Sequence, residues 1–446
     1  MIATQLTVAI YQFVDALMVK SLGEASLAAI APAGMMIQIP LTFGLGLVAT
    51  VTTFVSNAHG GKSKYLTAIY AWVGIIIALA MGCAVLSLWP FSANIMNLIP
   101  TDIGVFEKAD NYFRISLLSI APQLLAAAIG GYFLGIDKPY IPLYSALLGS
   151  ASNVLFNYGL MFGKFGAPEL GFVGAAWGTV LASLTGAAAI FAAFLLEKHP
   201  PVWQLRFRKH VFSRFLCIGA PAGLHHCLDV IAWGYVLLYF IAQFGTSHLA
   251  AASVVLRCMQ LSYLPTHGVG MALTSLVGNC MGTGDHQGAE RFARMAFRTL
   301  GLYMASIGIF FIVGSQQIVT MFTPPELHSD ALFSEVAKHS LIIVGTFQIF
   351  DAMYIIYSDS LRGAGDTAWQ SIINFLYCVV IFIGGSILVV RVWPDGGSLG
   401  LWIVDGIYVT TQGLTSYLRW KKGLWRSAHF ISRVLGTVRD VPPGTL

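Results

Sequence analysis

The sequence predicts an all-α membrane protein: twelve transmembrane helices in two parallel-repeat six-helix bundles. Three observations carry this reading. The 446 residues are 57% hydrophobic and only 10% charged, with a mean hydropathy of +0.74, far too apolar for a single soluble core. Apolar runs repeatedly reach the ~20 residues that a helix needs to cross a bilayer. The second half of the chain also repeats the first, as set out below.

Reading runs bounded by charge, Gly and Pro places spans near 1–20, 26–56, 65–95, 108–135, 139–163 and 172–197, then 211–243, 247–281, 293–322, 332–361, 367–391 and 398–420. The first run, MIATQLTVAIYQFVDALMVK, has no basic leading region and no small-residue cleavage site, so it is expected to be a retained helix and not a signal peptide. The domain organisation follows as an N-terminal lobe over 1–197, a linker over 198–210, a C-terminal lobe over 211–422 and a tail over 423–446. Most of the 25 Lys and Arg fall on one side of this arrangement, including Lys62, Lys64, Arg206, Arg208, Arg291, Arg294 and the basic residues from Arg419 onward. By the positive-inside rule that side, with both termini and the linker, is cytoplasmic, in the inner (plasma) membrane. The formal net charge of +5 then belongs to loops facing anionic lipid and not to a nucleic-acid surface.

Residues 22–62 and 244–284 align without gaps. LGEASLAA (Leu22–Ala29) lies over FGTSHLAA (Phe244–Ala251), Gln38 over Gln260, Gly46 over Gly268, Thr52 over Thr274 and Gly60 over Gly282. Six spans precede the linker, an even number, so both halves start on the same side and the repeats are parallel. Pro32, Pro40, Gly44 and Gly46, with Pro265, Gly268 and Gly270 in the copy, are expected to break or bend the two equivalent helices.

Charges inside such runs are costly, about 2.5 to 3.5 kcal/mol each on insertion scales, and mark ion, proton or substrate pathways. Asp15, Asp229 and Asp351 are the candidates. A carboxylate removed from water binds either a proton or a cation, each excluding the other, and this competition is antiport when the site alternates between two sides. Asn153 and Asn157, spaced i, i+4, face one way along a helix. With Asp15 and Thr179 they offer hard oxygen ligands suited to a small cation such as Na⁺. His225 and His226 stand one turn before Asp229, where an imidazole is able to relay a proton. Arg257 is placed to neutralise Asp229 or Asp351. Asp137, Asp285, Glu290, Asp359 and Asp366 lie near basic residues and read as surface partners, whereas Asp405 lies deeper without an assigned role.

The six cysteines stand singly in apolar segments and read as small buried hydrophobes, with no CxxC and no metal-ligand spacing. No GxxxxGK[ST] is present, so ATP is not the expected energy source, and no cofactor is expected beyond a coupling ion, H⁺ or Na⁺. Aromatic and Met side chains are numerous enough to line an adaptable cavity, though most are expected to fill helix interfaces.

The stretch VDALMVKSLGEASLAAIAPA (Val14–Ala33) resembles the first-helix signature of the multidrug and toxic compound extrusion (MATE) family. So do KFGAPELGFVGAAWGT (Lys164–Thr179) and SLRGAGDT (Ser360–Thr367), and the likeness runs to RWKKGLW (Arg419–Trp425). The resemblance implies two six-helix lobes in a V and export of small organic cations in exchange for H⁺ or Na⁺ by a monomer in the lipid bilayer. It assigns Asp15 to the family's first-helix acid, Asn153 and Asn157 to a fifth-helix polar pair, and Asp229 and Asp351 to the seventh- and tenth-helix acids of the NorM-type branch. Two features depart from the family pattern. Residues 1–14 hold no proline, so either the start is misassigned or this helix is short, and Arg257 in LRCMQLSYLP resembles the non-NorM branches, so the sequence mixes features of the NorM-type and DinF-type branches. A lipid-linked oligosaccharide flippase of the same superfamily is the neighbouring alternative, disfavoured because acids outnumber Arg in the spans. An intramembrane enzyme is the alternative from another class, but HExxH and DDxxD patterns are both missing, and nothing resembles the selectivity filter of a passive channel.

Overall fold

The computed structural model describes residues 2–4, 7, 14–15, 18, 24–97, 103–197, 209–322 and 331–426. Eleven long helical stretches fill it: α1 (Glu24–Gly60), α2 (Lys64–Leu86), α3 (Ile103–Gly135), α4 (Tyr140–Phe162), α5 (Phe172–Leu196), α6 (Lys209–Ile231), α7 (Thr246–Thr283), α8 (His286–Val313), α9 (Ala331–Gly363), α10 (Thr367–Tyr377) and α11 (Leu399–Lys421). Helix α6 continues through a π-helical turn, Ala232–Val236, into Leu237–Ala242, and α10 continues through a second, Cys378–Ile383, into Gly384–Val392. Most of the first expected span lies outside the described residues, but Val14 and Asp15 are helical. The linker expected at 198–210 also falls almost wholly outside them. The largest shift from expectation is at α8, which starts at His286 and not near 293. Asp285 caps it through a bond from Gly288 N to Oδ1 (2.8 Å), so Arg291 lies inside a helix where the charge-bounded reading had placed a loop.

The repeat extends to the helix starts. Helices α1 and α2 open at Glu24 and Lys64, and α7 and α8 open at Thr246 and His286, each at the offset that aligns the two sequence segments. Tyr140 and Phe172, which open α4 and α5, are as far apart as Thr367 and Leu399, which open α10 and α11. By packing, the chain forms two compact units, chiefly Ala3–Cys227 and Leu228–Val434, with the boundary inside the helix that begins at Lys209.

Eight of the described helices are long and apolar enough to cross a membrane. Helices α4, α7 and α11 are long but fall short on apolarity. The reason is chemical: they carry Asn153 and Asn157, Arg257 and His267, and Asp405 and Gln412. Such helices are tolerated in a bilayer when the polar groups face protein, and Asn153, Asn157, Asp405 and Gln412 are all buried.

The breaks expected at the Gly and Pro positions of α1 and α7 are not there, since both helices run unbroken through them. Gly46 instead permits close approach. A Cβ on it would lie 2.7 Å from the Ala222 carbonyl oxygen and the Gly223 Cα of α6. Gly223 in turn lies against the Phe43 carbonyl oxygen, and Phe54 of α1 stacks on Phe215 of α6 with centroids 4.2 Å apart. Helix–helix association in a membrane relies on such contacts because lipid supplies no hydrophobic drive between helices.

Asp359 and Asp366 are not surface groups. Both are buried, Asp359 paired with Arg362 (2.7 Å) and Asp366 with Arg419 (2.8 Å), whose guanidinium also lies 4.9 Å above the Trp369 ring. Gly270 of α7 makes room for the Asp359 carboxylate, and Thr274 donates to the Asp359 carbonyl (3.1 Å). The SLRGAGDT segment is thus an internal clamp, because burial makes each of its charges demand a partner. Asp137 near His59 remains half exposed, and Glu290 pairs with Arg426. Cys227, Cys258, Cys280 and Cys378 are buried as expected, whereas Cys83 and Cys217 are exposed.

Candidate functional site

In the N-terminal unit α4 packs along α5, and the polar face of α4 is turned inward. Asn153 is buried and Asn157 is wholly buried. The Asn157 Nδ2 donates to Asp15 Oδ1 at 2.6 Å and to Asn153 Oδ1 at 3.2 Å. One amide therefore bridges the acid and the neighbouring asparagine, with a charge-assisted bond on the acid side. The Asn157 Oδ1 is buried and has no hydrogen-bond partner among the described residues. It occupies the space a Cβ on Gly178 of α5 would need, so the glycine of the GAAWGT segment is what lets the amide sit there. Thr179, next along, donates instead to the Ala175 carbonyl of its own helix (3.0 Å), and among the described residues no bond brings it to Asp15. The arrangement offers a carboxylate, a second amide oxygen and an acceptor without a donor, the set that a small hard cation coordinates.

Gly178→Ala is expected to destabilise the protein by about 1 to 3 kcal/mol, the usual cost of overpacking. The added methyl meets the Asn157 amide and lies 3.0 Å from the Asn157 backbone nitrogen, which is unable to move alone. The midpoint of thermal unfolding of the purified protein in detergent measures this, and a wild-type midpoint refutes it.

The C-terminal unit repeats the theme with a different outcome. Asp229 of α6 accepts from Asn374 Nδ2 at 3.1 Å and from the Tyr354 hydroxyl at 3.5 Å. Gln412 of α11 donates to Asn374 Oδ1. In both units an Asp on the first helix of the repeat thus accepts the amide of an Asn on the fifth. In the N-terminal unit the asparagine oxygen has no donor, whereas in the C-terminal unit the glutamine satisfies it. Asp351, one turn before Tyr354 on α9, is partly buried, has no hydrogen bond or ion pair among the described residues, and feels the charge of Asp229. A cavity of ≈ 10 Å³ adjoins this network, lined by Tyr354, Asn374, Tyr377 and Gln412 among others, about the space of one water.

The two π turns follow the site closely. Ala232–Val236 starts three residues after Asp229 and Cys378–Ile383 starts four after Asn374. They pack against each other, with Trp233 and Phe382 centroids 6.4 Å apart. Each π turn inserts a residue into its helix and re-aims the side chains beyond it, a device common at functional sites.

Arg257 pairs with neither acid. It is exposed and makes no ion pair among the described residues, its side of α7 being turned away from the packed core. The cation whose charge reaches Asp229 is Arg362, already held by Asp359. His225 and His226 belong with the N-terminal unit, where the His226 ring lies against Gly46 of α1. The groups that bond Asp229 directly include Tyr354 and Asn374. These two, with Gln412, are the functional candidates that sequence reading missed. Asn374 and Gln412 carried the same signal that singled out Asn153 and Asn157, an amide within an apolar run.

Comparisons with known proteins agree with this architecture. The MatE family profile matches residues 1–159 and again 221–387, once in each half. A probable multidrug resistance protein NorM of Thermotoga maritima is 26% identical over 421 residues, covering 90% of this chain and 87% of the relative. Another of the same description from Bradyrhizobium diazoefficiens is 27% identical over 413 residues, covering 89% of this chain and 87% of the relative. Among solved structures, one described as the outward-facing conformation of a multidrug resistance MATE family transporter of the MOP superfamily superposes with a TM-score of 0.86 at 18% identity, covering 98% of this chain and 95% of that one.

Proposed function

Because this chain belongs to the MatE family, whose members are transporters and not enzymes, we propose that it is a secondary antiporter exporting cationic, amphipathic small molecules in exchange for H⁺ or Na⁺. It is a multi-pass membrane protein. In this reading it sits in the inner membrane with both termini cytoplasmic, and the organic cation and the coupling ion compete for the same carboxylates. The observation that carries the proposal is the pairing, in each unit, of an aspartate on the first helix of the repeat with an asparagine amide on the fifth. Such a pair holds the acid in place without neutralising it, which leaves its charge for a passenger. An arginine partner would have used that charge up.

Each coupling ion has residues that suit it. Asp15, Asn153 and the donorless oxygen of Asn157 supply what a Na⁺ passenger requires, while Asp229 and Asp351 are suited to protons or to the organic cation. Alternation follows if passengers bind one at a time, and linkage makes the exclusion reciprocal. One elementary charge moving through 100 mV releases about 2.3 kcal/mol, enough to drive uphill export.

Proteoliposomes holding the full chain and a fluorescent organic cation test this under pH and Na⁺ gradients imposed separately. At least one gradient is expected to drive movement of the dye against its own concentration. Dye movement indifferent to both gradients would overturn the antiport reading.

A further inference from the structure

The C-terminal unit contains a third membrane-embedded acid that the proposed exchange does not use. Asp405 of α11 is 0% exposed, and neither of its carboxylate oxygens has a hydrogen-bond partner among the described residues. Its neighbours along the helix, Leu401, Trp402, Tyr408 and Val409, belong to an apolar cluster that also holds Phe347 and Phe382. The helix that carries it is closely packed there. Helix α11 is locked against α9 at Gly406, where a Cβ would lie 2.8 Å from the Phe347 ring, and at Gly413, where it would lie 2.6 Å from the Phe350 carbonyl oxygen.

Asp405 is not remote from the site. The charge of Asp351 acts on it from α9. On its own helix, Tyr408 one turn further along feels both Asp405 and Asp229 and neighbours Gln412. A bonded network therefore runs from Asp229 through Asn374 to Gln412, the Tyr408 hydroxyl and the Asp405 carboxylate are buried without hydrogen bonds among the described residues, and the charge of Asp351 reaches Asp405. The repeat sharpens the contrast, since Asp405 stands as far into α11 as Gly178, the residue that makes room for the Asn157 amide, stands into α5. At the same place in the sixth helix, one unit carries a glycine whose side is filled by a neighbouring amide and the other carries an acid.

An ionised carboxylate without a donor in an apolar cluster is untenable by several kcal/mol, so the group needs a positive partner. A metal cation requires several oxygens around it, and the cluster offers mainly hydrocarbon and aromatic rings. A proton requires only the carboxyl itself. Two acids in one another's field within a low-dielectric interior also resist being ionised together, so their protonation is shared.

We propose that Asp405 is a proton-binding carboxylate of the exchange site, carrying a proton that it trades with Asp351. In the step the O–H bond at one carboxyl breaks as an O–H bond forms at the other, directly or through water, so positive charge moves and nothing is oxidised or reduced. When a cationic passenger occupies Asp351, the proton rests on Asp405, and when the passenger leaves, Asp351 takes the proton and Asp405 regains one from the open side. The number of protons moved per cycle is unchanged, and Asp405 is the site through which Asp351 is reloaded. This rests on the antiport reading for its role, but not for the existence of the proton site.

Infrared difference spectroscopy of the full chain in liposomes, stepped in pH with no ligand added, tests the site itself. The carbonyl stretch of a protonated carboxyl in an apolar setting is expected to rise and fall with pH. It should be lost in Asp405→Asn, kept in Asp229→Asn, and titrate at a displaced pH in Asp351→Asn. Asp405→Glu, which keeps the acid, should move the band without abolishing it and serves if the asparagine variant does not fold. A spectrum unchanged by Asp405→Asn overturns the proposal. So does a band assigned to Asp405 that is constant at every pH or indifferent to Asp351→Asn, since either marks a permanently neutral structural acid. If the band behaves as expected but neither gradient drives the dye, the antiport reading fails and the proton site stands.

Discussion

Asp15→Asn is expected to abolish ion-coupled export while leaving the protein folded. The replacement keeps an oxygen in position to accept the Asn157 amide, so the bond between the helices survives. What disappears is the charge. At ~4 Å and an effective dielectric constant near 20, the attraction between unit charges is about 4 kcal/mol, roughly a thousandfold in affinity for a small cation. Gradient-driven dye transport in proteoliposomes, with size-exclusion behaviour as the control for folding, measures the effect. Coupled transport at the wild-type rate would remove Asp15 from the mechanism. Because the Asn157 oxygen has no donor, a Na⁺-driven component should suffer more than any proton-driven one supported by the C-terminal unit.

Asp229→Asn and Asp351→Asn carry the second large effect. Asp229 is bonded by Asn374 and Tyr354, and asparagine there still accepts one of those bonds, so stability should change little. Each substitution is expected to eliminate proton movement triggered by the organic cation, with the loss of organic-cation binding again on the order of several kcal/mol. A pH-sensitive dye outside proteoliposomes records the proton movement, and wild-type coupling in both variants would refute the role of these acids. The two need not behave alike. Asp229 is held in an amide and hydroxyl network, whereas Asp351 has no bonded partner among the described residues and its charge reaches Asp405. Asp351→Asn should therefore disturb the protonation of a second group, and Asp229→Asn should do so less.

The sequence was informative where a rule is local. Length and apolarity placed the helices, and a gapless offset exposed the repeat, whose helices do start in register at Glu24 and Thr246. Rarity of charge in apolar runs singled out Asp15, Asp229 and Asp351, because the cost of burying an ion makes an unexplained one conspicuous. The same rule was misleading at the helix ends. Asp359 and Asp366 sit beside basic residues, as surface pairs do, yet both are buried within a clamp that only packing creates. Arg257 looked like a counter-charge because it shares a membrane span with no other ion. Helix rotation, which no local pattern specifies, turned it to an exposed face.

By itself, then, the sequence determined that this is a helical membrane protein of two like halves, and which acids have to be explained. Those properties follow from the solvation of single residues and their spacing along one chain. Only the tertiary structure decided which partner each acid meets: Asn157 for Asp15, Asn374 and Tyr354 for Asp229, and none among the described residues for Asp405. Residues more than a hundred positions apart are joined by how helices rotate and close on one another. That is set by where a glycine such as Gly178 or Gly406 leaves room for its neighbour, a quantity that depends on both surfaces at once.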